Sequence, residues 1–291
     1  MNSFLFKFKK PEYYFHLTNI FKRINSNNQK GTIQCKTIWG EIMEVEASDA
    51  IGKSILRTGL YDLALSEILW LLAEPNTLTI DIGANIGYTS LLMLSRTSPK
   101  DKLLLFEPNP NLASRLELNL EKYLDSGRAI LYKCALSNIC GKAFLDLPDK
   151  NMHNDGIGSV IQIENERSVP IELKKLDDII KNDTLINLVK IDVEGHELEV
   201  LLGAEQLLNA HLIKHLVFEE HQQYPTKVTD YLESKGYLVF RIQKNWKRIS
   251  LEKPTSPLPI DAAFEAVNYI ATTDLDYVQQ KIDQSFKYQI L

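Results

Sequence analysis

The sequence is poor in cysteine, in long apolar stretches and in excess basic charge, and each of these shortages excludes a class of protein. Its 3 cysteines in 291 residues do not make a disulfide framework and, with no secretory signal, favour a reducing compartment. No run of about 18 apolar residues is present, so we expect no transmembrane helix and a cytoplasmic location. The formal net charge of -5 argues against a nucleic-acid partner, because proteins that bind nucleic acids present basic surfaces.

The amino terminus differs from the rest of the chain in its charge. Residues 1–30 contain six basic residues and one acidic residue, a local charge of +5, with seven aromatic residues interleaved. The lysines interrupt any apolar stretch, so this is not a secretory signal. Two interpretations stay open: a helix packed on the domain with a solvated basic face, or a weak binding surface for a membrane or another anionic partner.

The most informative stretch is residues 79–87, with the sequence Thr-Ile-Asp-Ile-Gly-Ala-Asn-Ile-Gly. Its apolar residues end at two glycines and predict a buried strand that enters a tight turn, with a helix over residues 88–96. Such a turn directs backbone N–H groups and a helix N-terminus toward one point, which favours an anionic group there. Asp81 places a carboxylate beside the same point. Donors for an anion next to an acceptor for a cation suit an amino-acid-like zwitterion.

A second acidic residue, Glu107, ends the next apolar strand 20 residues after Gly87. At about that distance after a glycine turn, an acidic residue is placed to accept hydrogen bonds from both hydroxyls of a ribose. A ligand with a zwitterionic end and a ribose end is S-adenosylmethionine (SAM). A nicotinamide dinucleotide would need the pattern Gly-x-Gly-x-x-Gly, which is not met because Asn85 stands two positions after Gly83.

Two further strand ends contribute candidate site residues. A strand over residues 129–134 ends in small residues beginning at Ala135, which leave room for a flat adenine at the carboxyl edge of the sheet. Residues 188–197 again predict a strand, a glycine turn and a helix that runs to about Leu208, with five ionisable residues in eight positions. Buried charge is costly unless paired, so this cluster indicates chemistry, although a structural pairing of Lys190 with Asp192 stays open.

The pattern of predicted elements divides the chain into four segments. These are the basic and aromatic segment 1–30, a hairpin and helix over residues 31–75, a core domain over residues 76–272, and a tail over residues 273–291. An inserted hairpin at about residues 141–172 breaks the alternation of strands and helices and contains a polar loop with His153. Tyr61 and Glu67, on either side of the predicted start of the 63–73 helix, are candidate contacts for the nucleoside site.

Three of these motifs resemble the FkbM family of SAM-dependent methyltransferases. The matching residues are Asp-Ile-Gly-Ala-Asn-Ile-Gly at 81–87, Phe-Glu-Pro-Asn-Pro at 106–110, and Lys-Ile-Asp-Val-Glu-Gly-His-Glu at 190–197. The first is shared by many class I methyltransferases, whereas the last is more specific to FkbM-like proteins. The resemblance covers about residues 40–270.

The resemblance implies both a fold and a reaction. The fold is α/β and Rossmann-like, a mostly parallel seven-stranded sheet with helices on both faces and a final antiparallel strand. The reaction is methyl transfer from SAM to a hydroxyl, often on a sugar or a natural-product ring, so the expected partner is a saccharide or other small-molecule acceptor. The expected cofactor residues are Asp81, Gly83, Ala84, Asn85, Gly87, Glu107, Ala135 and Asp192, and the expected catalytic residues are His196, Asp192 and Glu194.

Such a transfer needs a group that removes the proton of the hydroxyl, because an alkyl hydroxyl is a weak nucleophile. His196 titrates in the useful range, and Asp192 or Glu194 can orient it or replace it. We expect no metal, although Glu219 or Glu220 on the neighbouring strand end can join Asp192 or Glu194 around a divalent cation. Two alternatives stay open: an N-methyltransferase and a non-catalytic SAM-binding protein.

Overall fold

The computed structural model describes residues 31–147, 158–181, 183–244, 249–255 and 267–284. The predictions for the segment 1–30, for the polar loop with His153 and for the end of the tail fall outside these residues. Within the described ranges, no helix is long and apolar enough to cross a membrane.

The elements are numbered here in chain order. The strands are β1 Thr32–Lys36, β2 Ile42–Glu46, β3 Leu78–Ile82, β4 Leu103–Phe106, β5 Ala129–Tyr132, β6 Ala135–Leu136, β7 Gly141–Asp146, β8 Ser159–Ile161, β9 Ser168–Lys174, β10 Ile186–Ile191, β11 Ile213–Glu220, β12 Leu238–Lys244, β13 Ile249–Glu252 and β14 Val267–Thr272. The helices are α1 Ala50–Thr58, α2 Leu63–Leu72, α3 Tyr88–Arg96, α4 Pro110–Asp125, α5 Leu176–Ile179, α6 Glu197–Leu202, α7 Glu205–Asn209, α8 Lys227–Ser234 and α9 Leu275–Gln284.

The main sheet contains eight strands in the described part of the chain, in the order β13-β12-β14-β11-β10-β3-β4-β5. The five strands from β5 to β11 are parallel, and β14 lies antiparallel between β11 and β12. The predicted mostly parallel sheet with a late antiparallel strand is therefore confirmed. The edge strand β13 adds an eighth strand, which the sequence pattern did not indicate.

Helices cover both faces of this sheet because successive side chains of a buried parallel strand point to opposite faces. On one face, Leu105 of β4 and Leu188 of β10 belong to a core with α2, α3, α4 and α9. On the other, Phe106 and Val189 belong to a core with α6, α7 and α8. In β10 all six residues are buried, and the one charged side chain among them is Lys190.

The inserted segment is a second sheet rather than a single hairpin. Its four strands lie in the order β6-β9-β7-β8, with β6 and β9 parallel and the other pairs antiparallel. The predicted insert at about 141–172 contains β7 and β8 and most of β9, and the strand that attaches it to the core is β6. The sequence pattern missed this attachment because β6 is two residues long.

The segment before the core is a hairpin, as predicted, followed by the unpredicted helix α1 and then by α2. In α1, a Cβ on Gly52 would lie 2.0 Å from the carbonyl oxygen of Glu46, so the glycine is there for close packing on the hairpin. Asn119 of α4 then ties the hairpin to the glycine turn. Its amide oxygen accepts from the N–H of Glu44 at 2.6 Å, and its NH₂ donates to the carbonyl oxygen of Ile86 at 2.8 Å.

The prediction of a single helix to about Leu208 is wrong in one respect, because the helix is broken into α6 and α7 at Gly203. Gly203 has an ordinary φ of -76°, so its backbone conformation does not demand glycine. A Cβ there would lie 2.0 Å from the carbonyl oxygen of Ser137. The missing side chain at Gly203 therefore leaves room for β6 and the residue after it to approach the helix.

Candidate active site

The glycine turn between β3 and α3 is stabilised from within. The N–H groups of Gly83 and Ala84 both donate to the carbonyl oxygen of Phe106, at 2.9 and 3.1 Å, and that of Gly87 donates to the carbonyl oxygen of Ala84. The N–H of Asn85 donates to Glu107. The expectation that these N–H groups converge on an external anion therefore needs correcting, because acceptors of the protein already occupy them.

Gly83 and Gly87, at the two ends of the turn, lie in crowded positions with different neighbours. Gly83 has a φ of +74°, and a Cβ on it would lie 1.8 Å from the carbonyl oxygen of Asp192. Gly87 has a φ of +89°, and its Cβ would lie 2.4 Å from Leu120 of α4. Backbone at positive φ favours glycine at both positions, and the backbone contact at Gly83 also leaves no room for a side chain. The turn is thus clamped between the end of β10 and the face of α4.

Asp81 lies beneath the turn rather than beside the crevice. It is fully buried, and its Oδ2 accepts hydrogen bonds from Thr89 at 2.8 Å and Ser90 at 2.6 Å. Its Oδ1 lies 3.5 Å from Nζ of Lys190, the residue opposite it on β10. The prediction that the Asp81 carboxylate faces the ligand is therefore corrected, since its contacts brace the turn and the start of α3.

Lys190 is buried and contacts three segments: the end of β3, the glycine turn and the residue after β10. Its Nζ donates to the carbonyl oxygen of Gly83 at 2.8 Å and lies 3.3 Å from Oδ2 of Asp192. Burial by itself lowers the pKa of Lys190, but the carboxylates of Asp192 and Asp81 outweigh it and raise the pKa to about 12. The pairing left open from the sequence is thus present. It leaves the Asp192 side chain partly exposed on its other side.

Of the two acidic residues predicted beside the glycine turn, Asp81 and Glu107, it is Glu107 that lines the crevice. Its two carboxylate oxygens accept from the N–H groups of Asn85 and Asn109, each at 2.8 Å, which fixes the orientation of the side chain. It is only 5% exposed. Burial raises the pKa of Glu107 to about 7, although the two backbone N–H groups and Lys190 lower it.

The crevice lies at the carboxyl ends of the parallel strands, where the strand order reverses on either side of β3. It has about 540 Å³ of empty space including its solvent-open part. Its apolar part is formed by Phe106, Leu112, Ala135, Leu136, Leu145 and Val160. Its polar part is formed by Glu107, Asp192, Glu194 and His196.

Of the predicted cofactor residues, four line this crevice and four support it. Gly83, Glu107, Ala135 and Asp192 are in its wall. Asp81, Ala84, Asn85 and Gly87 are in the turn behind that wall. Leu145 of β7 and Val160 of β8 were not predicted, because only the folding of the inserted sheet over the strand ends brings them to the crevice.

The loop after β10, residues 192–196, forms most of the polar part of the crevice and has a fixed conformation. Glu194 and Gly195 have positive φ values of 53° and 93°, which turn the chain sharply before α6. Glu197 stabilises this turn by accepting from the N–H groups of Val193 and Gly195, each at 3.2 Å. Burial and the neighbouring Asp192 raise the pKa of Glu194, and His221 lies 3.6 Å from its carboxylate.

His196 faces the crevice with one ring nitrogen held. Its Nε2 lies 3.0 Å from Oγ of Ser137, and its Nδ1 lies 3.8 Å from the carboxylate of Glu199. Ser137 Oγ also lies 3.3 Å from the side-chain oxygen of Asn138, which can take the hydroxyl proton. In the tautomer in which Nε2 donates to Ser137, Nδ1 keeps its lone pair. Burial lowers the pKa of His196, which favours the neutral ring.

On the next strand, burial raises the pKa of Glu219, and the negative charge of the neighbouring Asp192 raises it further. Among the described residues, no group of three or more His, Cys, Asp or Glu side chains is arranged to hold a metal ion.

A parallel sheet that reverses its strand order at β3, a glycine turn backed by an acidic residue after β4, and an antiparallel strand between β11 and β12 define a Rossmann-like methyltransferase. A model of the methyltransferase FkbM domain matches residues 81–239, more than half of the chain. The chain belongs to this FkbM methyltransferase family and is a methyltransferase.

Three curated relatives illustrate the range of this family. Methyltransferase sdnD of Sordaria araneosa is 30% identical over 236 residues, covering 70% of this chain and 87% of the relative. Hexuronic acid methyltransferase AglP of Haloferax volcanii is 29% identical over 59% of this chain and 67% of the relative. The 2-O-methyltransferase NoeI of Sinorhizobium fredii is 29% identical over 54% of this chain and 70% of the relative.

Proposed function

We propose that this methyltransferase transfers a methyl group from SAM to a hydroxyl oxygen of a saccharide or a glycosylated small molecule. The observation that carries the proposal is the position of Glu107. Its carboxylate is oriented by two backbone N–H groups and lies in the same crevice as Asp192, Glu194 and His196. A group that can accept from a ribose thus lines the same crevice as groups that can act on a hydroxyl.

The residues that line the crevice fit both parts of an adenosine, the polar ribose and the apolar base. Glu107 offers carboxylate oxygens to a pair of hydroxyls, and an ionised acceptor makes the stronger kind of hydrogen bond. Beside it, Phe106, Leu112, Ala135 and Leu136 provide an apolar pocket for a flat base. The turn residues Gly83, Ala84, Asn85 and Gly87 and the buried Asp81 hold this wall in position.

SAM, when bound, supplies a methyl group on a sulfonium that is already a good leaving group. The protein therefore has to align the acceptor oxygen with the methyl carbon, exclude water and take up the hydroxyl proton. We assign the proton to Nδ1 of His196, with Ser137 fixing the ring. Asp192 and Glu194 accept hydrogen bonds from the acceptor and favour the imidazolium that forms.

Oxygen is favoured over nitrogen as the acceptor atom by two facts. The relatives NoeI and AglP bear the names of a 2-O-methyltransferase and a hexuronic acid methyltransferase. Enzymes that methylate planar amides and base amines resemble one another in an Asn-Pro-Pro-aromatic turn after the fourth strand. Here that turn is Asp-Val-Glu-Gly at 192–195.

The first test is SAM binding, measured by isothermal titration on the full chain and on Glu107→Gln. Loss of a charge-assisted hydrogen bond costs about 1.5–3 kcal/mol, so we expect the affinity to fall by about tenfold or more. Glu117→Gln is the matched control, because Glu117 is an exposed residue of α4 paired with Lys133. Unchanged affinity in a Glu107→Gln protein with a normal melting temperature would contradict the site.

The second test identifies the acceptor atom. The purified protein and methyl-labelled SAM are incubated with cell extract, and the labelled product is identified by mass spectrometry and NMR. We expect a methyl ether. A labelled amine would support the N-methyltransferase alternative, and SAM binding without any labelled product would support a non-catalytic protein.

A further inference from the structure

The residues that follow β10, β3 and β4 form one row along the crevice. The last residues of these three strands are paired side by side in the sheet. The next residue of each strand is Asp192, Gly83 or Glu107, and all three line the crevice. Because neighbouring strands lie about 4.8 Å apart, the backbones of Asp192 and Glu107 are about 10 Å apart, with Gly83 between them.

This row matches the order of the chemical groups in SAM. In the proposed function, Glu107 accepts hydrogen bonds from the ribose, and the sulfonium is bonded to the 5′ carbon of that ribose. The apolar residues for the base, Ala135 and Leu136, follow β5, which pairs with β4 on the side away from β3. A donor with its base at Ala135 and its ribose at Glu107 therefore directs its sulfonium along the row toward Asp192.

The carboxylate of Asp192 is held by a shared lysine. Its Oδ2 lies 3.3 Å from Nζ of Lys190, and 31% of the Asp192 side chain stays exposed. Nζ of Lys190 also lies 3.5 Å from the buried carboxylate of Asp81 and donates to the carbonyl oxygen of Gly83 at 2.8 Å. One cation between two carboxylates leaves one negative charge uncompensated, and Asp192 is the partner that lines the crevice.

The wall of the crevice has no positive charge to offset Asp192. Among the described residues that line it, none is a lysine or an arginine, whereas Glu107, Asp192 and Glu194 are acidic. Lys190 lies behind the wall, with only 4% of its side chain exposed. A cleft that is lined by one sign of charge and has apolar walls concentrates the field of those charges. A cationic ligand is therefore favoured over a neutral ligand of similar shape.

We propose that Asp192 makes the crevice selective for the positively charged sulfur of SAM over the neutral sulfur of S-adenosylhomocysteine. The inference rests on the proposed function, because it takes SAM as the donor with Glu107 on its ribose. Methyl transfer breaks the bond between sulfur and the methyl carbon, forms a bond between that carbon and the acceptor oxygen, and moves the hydroxyl proton to His196. The reaction leaves neutral sulfur, so Asp192 favours binding of the donor and release of the product.

The test compares the two ligands by isothermal titration of the full-length wild type and Asp192→Asn at pH 8, where Glu107 is ionised. Both ligands have the same adenosine and the same amino-acid part with its ammonium group. A change in the ratio of their dissociation constants therefore reports the charge on sulfur. We expect the wild type to bind SAM more tightly, and Asp192→Asn to reduce this preference by about tenfold. Asparagine keeps the shape and an oxygen that can accept from Lys190.

Two further measurements support this comparison. Glu117→Gln removes an exposed carboxylate of α4 that pairs with Lys133, and it should leave the ratio unchanged. If Asp192→Asn does not fold, the salt dependence of the wild type gives the answer. A higher NaCl concentration should weaken the binding of SAM more than that of S-adenosylhomocysteine, because salt screens the additional charge. An equal effect on both ligands would contradict the inference.

The outcomes separate the inference from the proposed function. Failure of the wild type to bind either ligand overturns both. If both ligands bind, but the wild type prefers S-adenosylhomocysteine or Asp192→Asn keeps the wild-type ratio, only the selectivity of Asp192 is overturned. An equal loss of both ligands in Asp192→Asn also overturns it, because the carboxylate then acts on the ammonium group that both ligands share. A preference that is reduced in Asp192→Asn and kept in Glu117→Gln supports it.

Discussion

At the scale of single residues, Glu107 makes ligand binding depend on pH. Its pKa is raised by burial to about 7, so it is largely protonated and neutral at pH 6 and ionised at pH 8. The ionised form accepts hydrogen bonds from hydroxyls more strongly. We expect the affinity for SAM to rise from pH 6 to pH 8, with release of a proton on binding.

Titrations in buffers of different ionisation enthalpy measure this proton release directly. Glu107→Gln, which cannot titrate, should bind weakly and with a flatter pH dependence. An affinity that falls as the pH rises would contradict the assignment of an ionised Glu107 to the ribose.

In the proposed mechanism, Ser137 is a positioning residue for His196. Its Oγ lies 3.0 Å from Nε2, which leaves Nδ1 to act as the base. In Ser137→Ala the ring can rotate or change tautomer. We expect kcat to fall by about tenfold or more, within the range that a positioned base contributes, with an unchanged Kd for SAM. The pH at which kcat/KM falls on the acid side should also shift, and Ser137→Thr should restore the wild-type profile.

A merely structural role for Ser137 would lower the melting temperature without moving the pH profile. His196→Ala provides the reference, since it removes the base itself. If Ser137→Ala and wild type share one pH profile, Ser137 does not position the base.

At the scale of elements, α9 is held against the sheet by a buried neutral histidine. His215 of β11 is 1% exposed, its Nδ1 bonds to Thr272 at 2.8 Å, and its ring stacks on Tyr277 of α9 with the centroids 5.6 Å apart. Burial lowers the pKa of His215 to about 4. The folded state thus excludes a proton that the unfolded chain takes up below its ordinary pKa of 6.5.

This shift makes the fold sensitive to acid. Since the unfolded state binds more protons between pH 6.5 and pH 4, stability is present above pH 6.5 and is lost as the pH falls. The shift corresponds to about 3 kcal/mol of unfolding free energy at pH 4. Urea denaturation of wild type and His215→Gln at pH 7 and pH 4 measures it. The wild type should lose more stability than the variant by that amount, and equal losses would show that His215 is not responsible.

At the scale of the whole molecule, the inserted sheet meets the layer of helices on the main sheet at Gly203, between α6 and α7. A Cβ on Gly203 would reach the carbonyl oxygen of Ser137, although the backbone there has an ordinary φ. Gly203→Ala should therefore push β6 outward and widen the crevice. Glu117→Ala, which changes an exposed side chain of α4, is the control.

Hydrogen exchange measures this coupling. In the wild-type protein, S-adenosylhomocysteine should protect amides of both β4 and the inserted strands, because both line the crevice. In Gly203→Ala we expect the protection of β7 and β8 to be lost and that of β4 to remain. Equal protection in both proteins would mean that the junction tolerates the methyl group.

The parts of the molecule that could be predicted are those with local causes. Apolar strands that end at glycine predicted β3 and β10 with their turns. The start of α4 has a local cause of the same kind, since Asn109 caps the helix. The seven-stranded sheet and its antiparallel strand came from the family resemblance. The helix α1 was missed because Gly52 interrupts its pattern, and the need for that glycine arises from packing on the hairpin.

The parts that could not be predicted depend on contacts between distant segments. Nothing in residues 81–87 shows that the carbonyl oxygen of Phe106 accepts from two N–H groups of the turn. The full burial of Asp81 depends on Lys190, which is 109 positions away in the sequence and adjacent in the sheet. The contact of Ser137 with His196 depends on the packing of β6 against α6, which the sequence does not show. Tertiary contacts thus decided which predicted residues face the crevice.

The parallel pairing of β6 with β9 makes the inserted sheet, residues 136–174, a unit that can be exchanged as a whole, here called the cassette. The chain leaves the core at Leu136 and returns at Lys174, and these two residues are direct neighbours in the pairing. A segment whose entry and exit are adjacent can be lengthened, shortened or replaced without stretching the rest of the fold. Because the cassette forms one wall of the crevice while Glu107 and the glycine turn belong to the core, evolution or an engineer can reshape that wall and leave the core side intact.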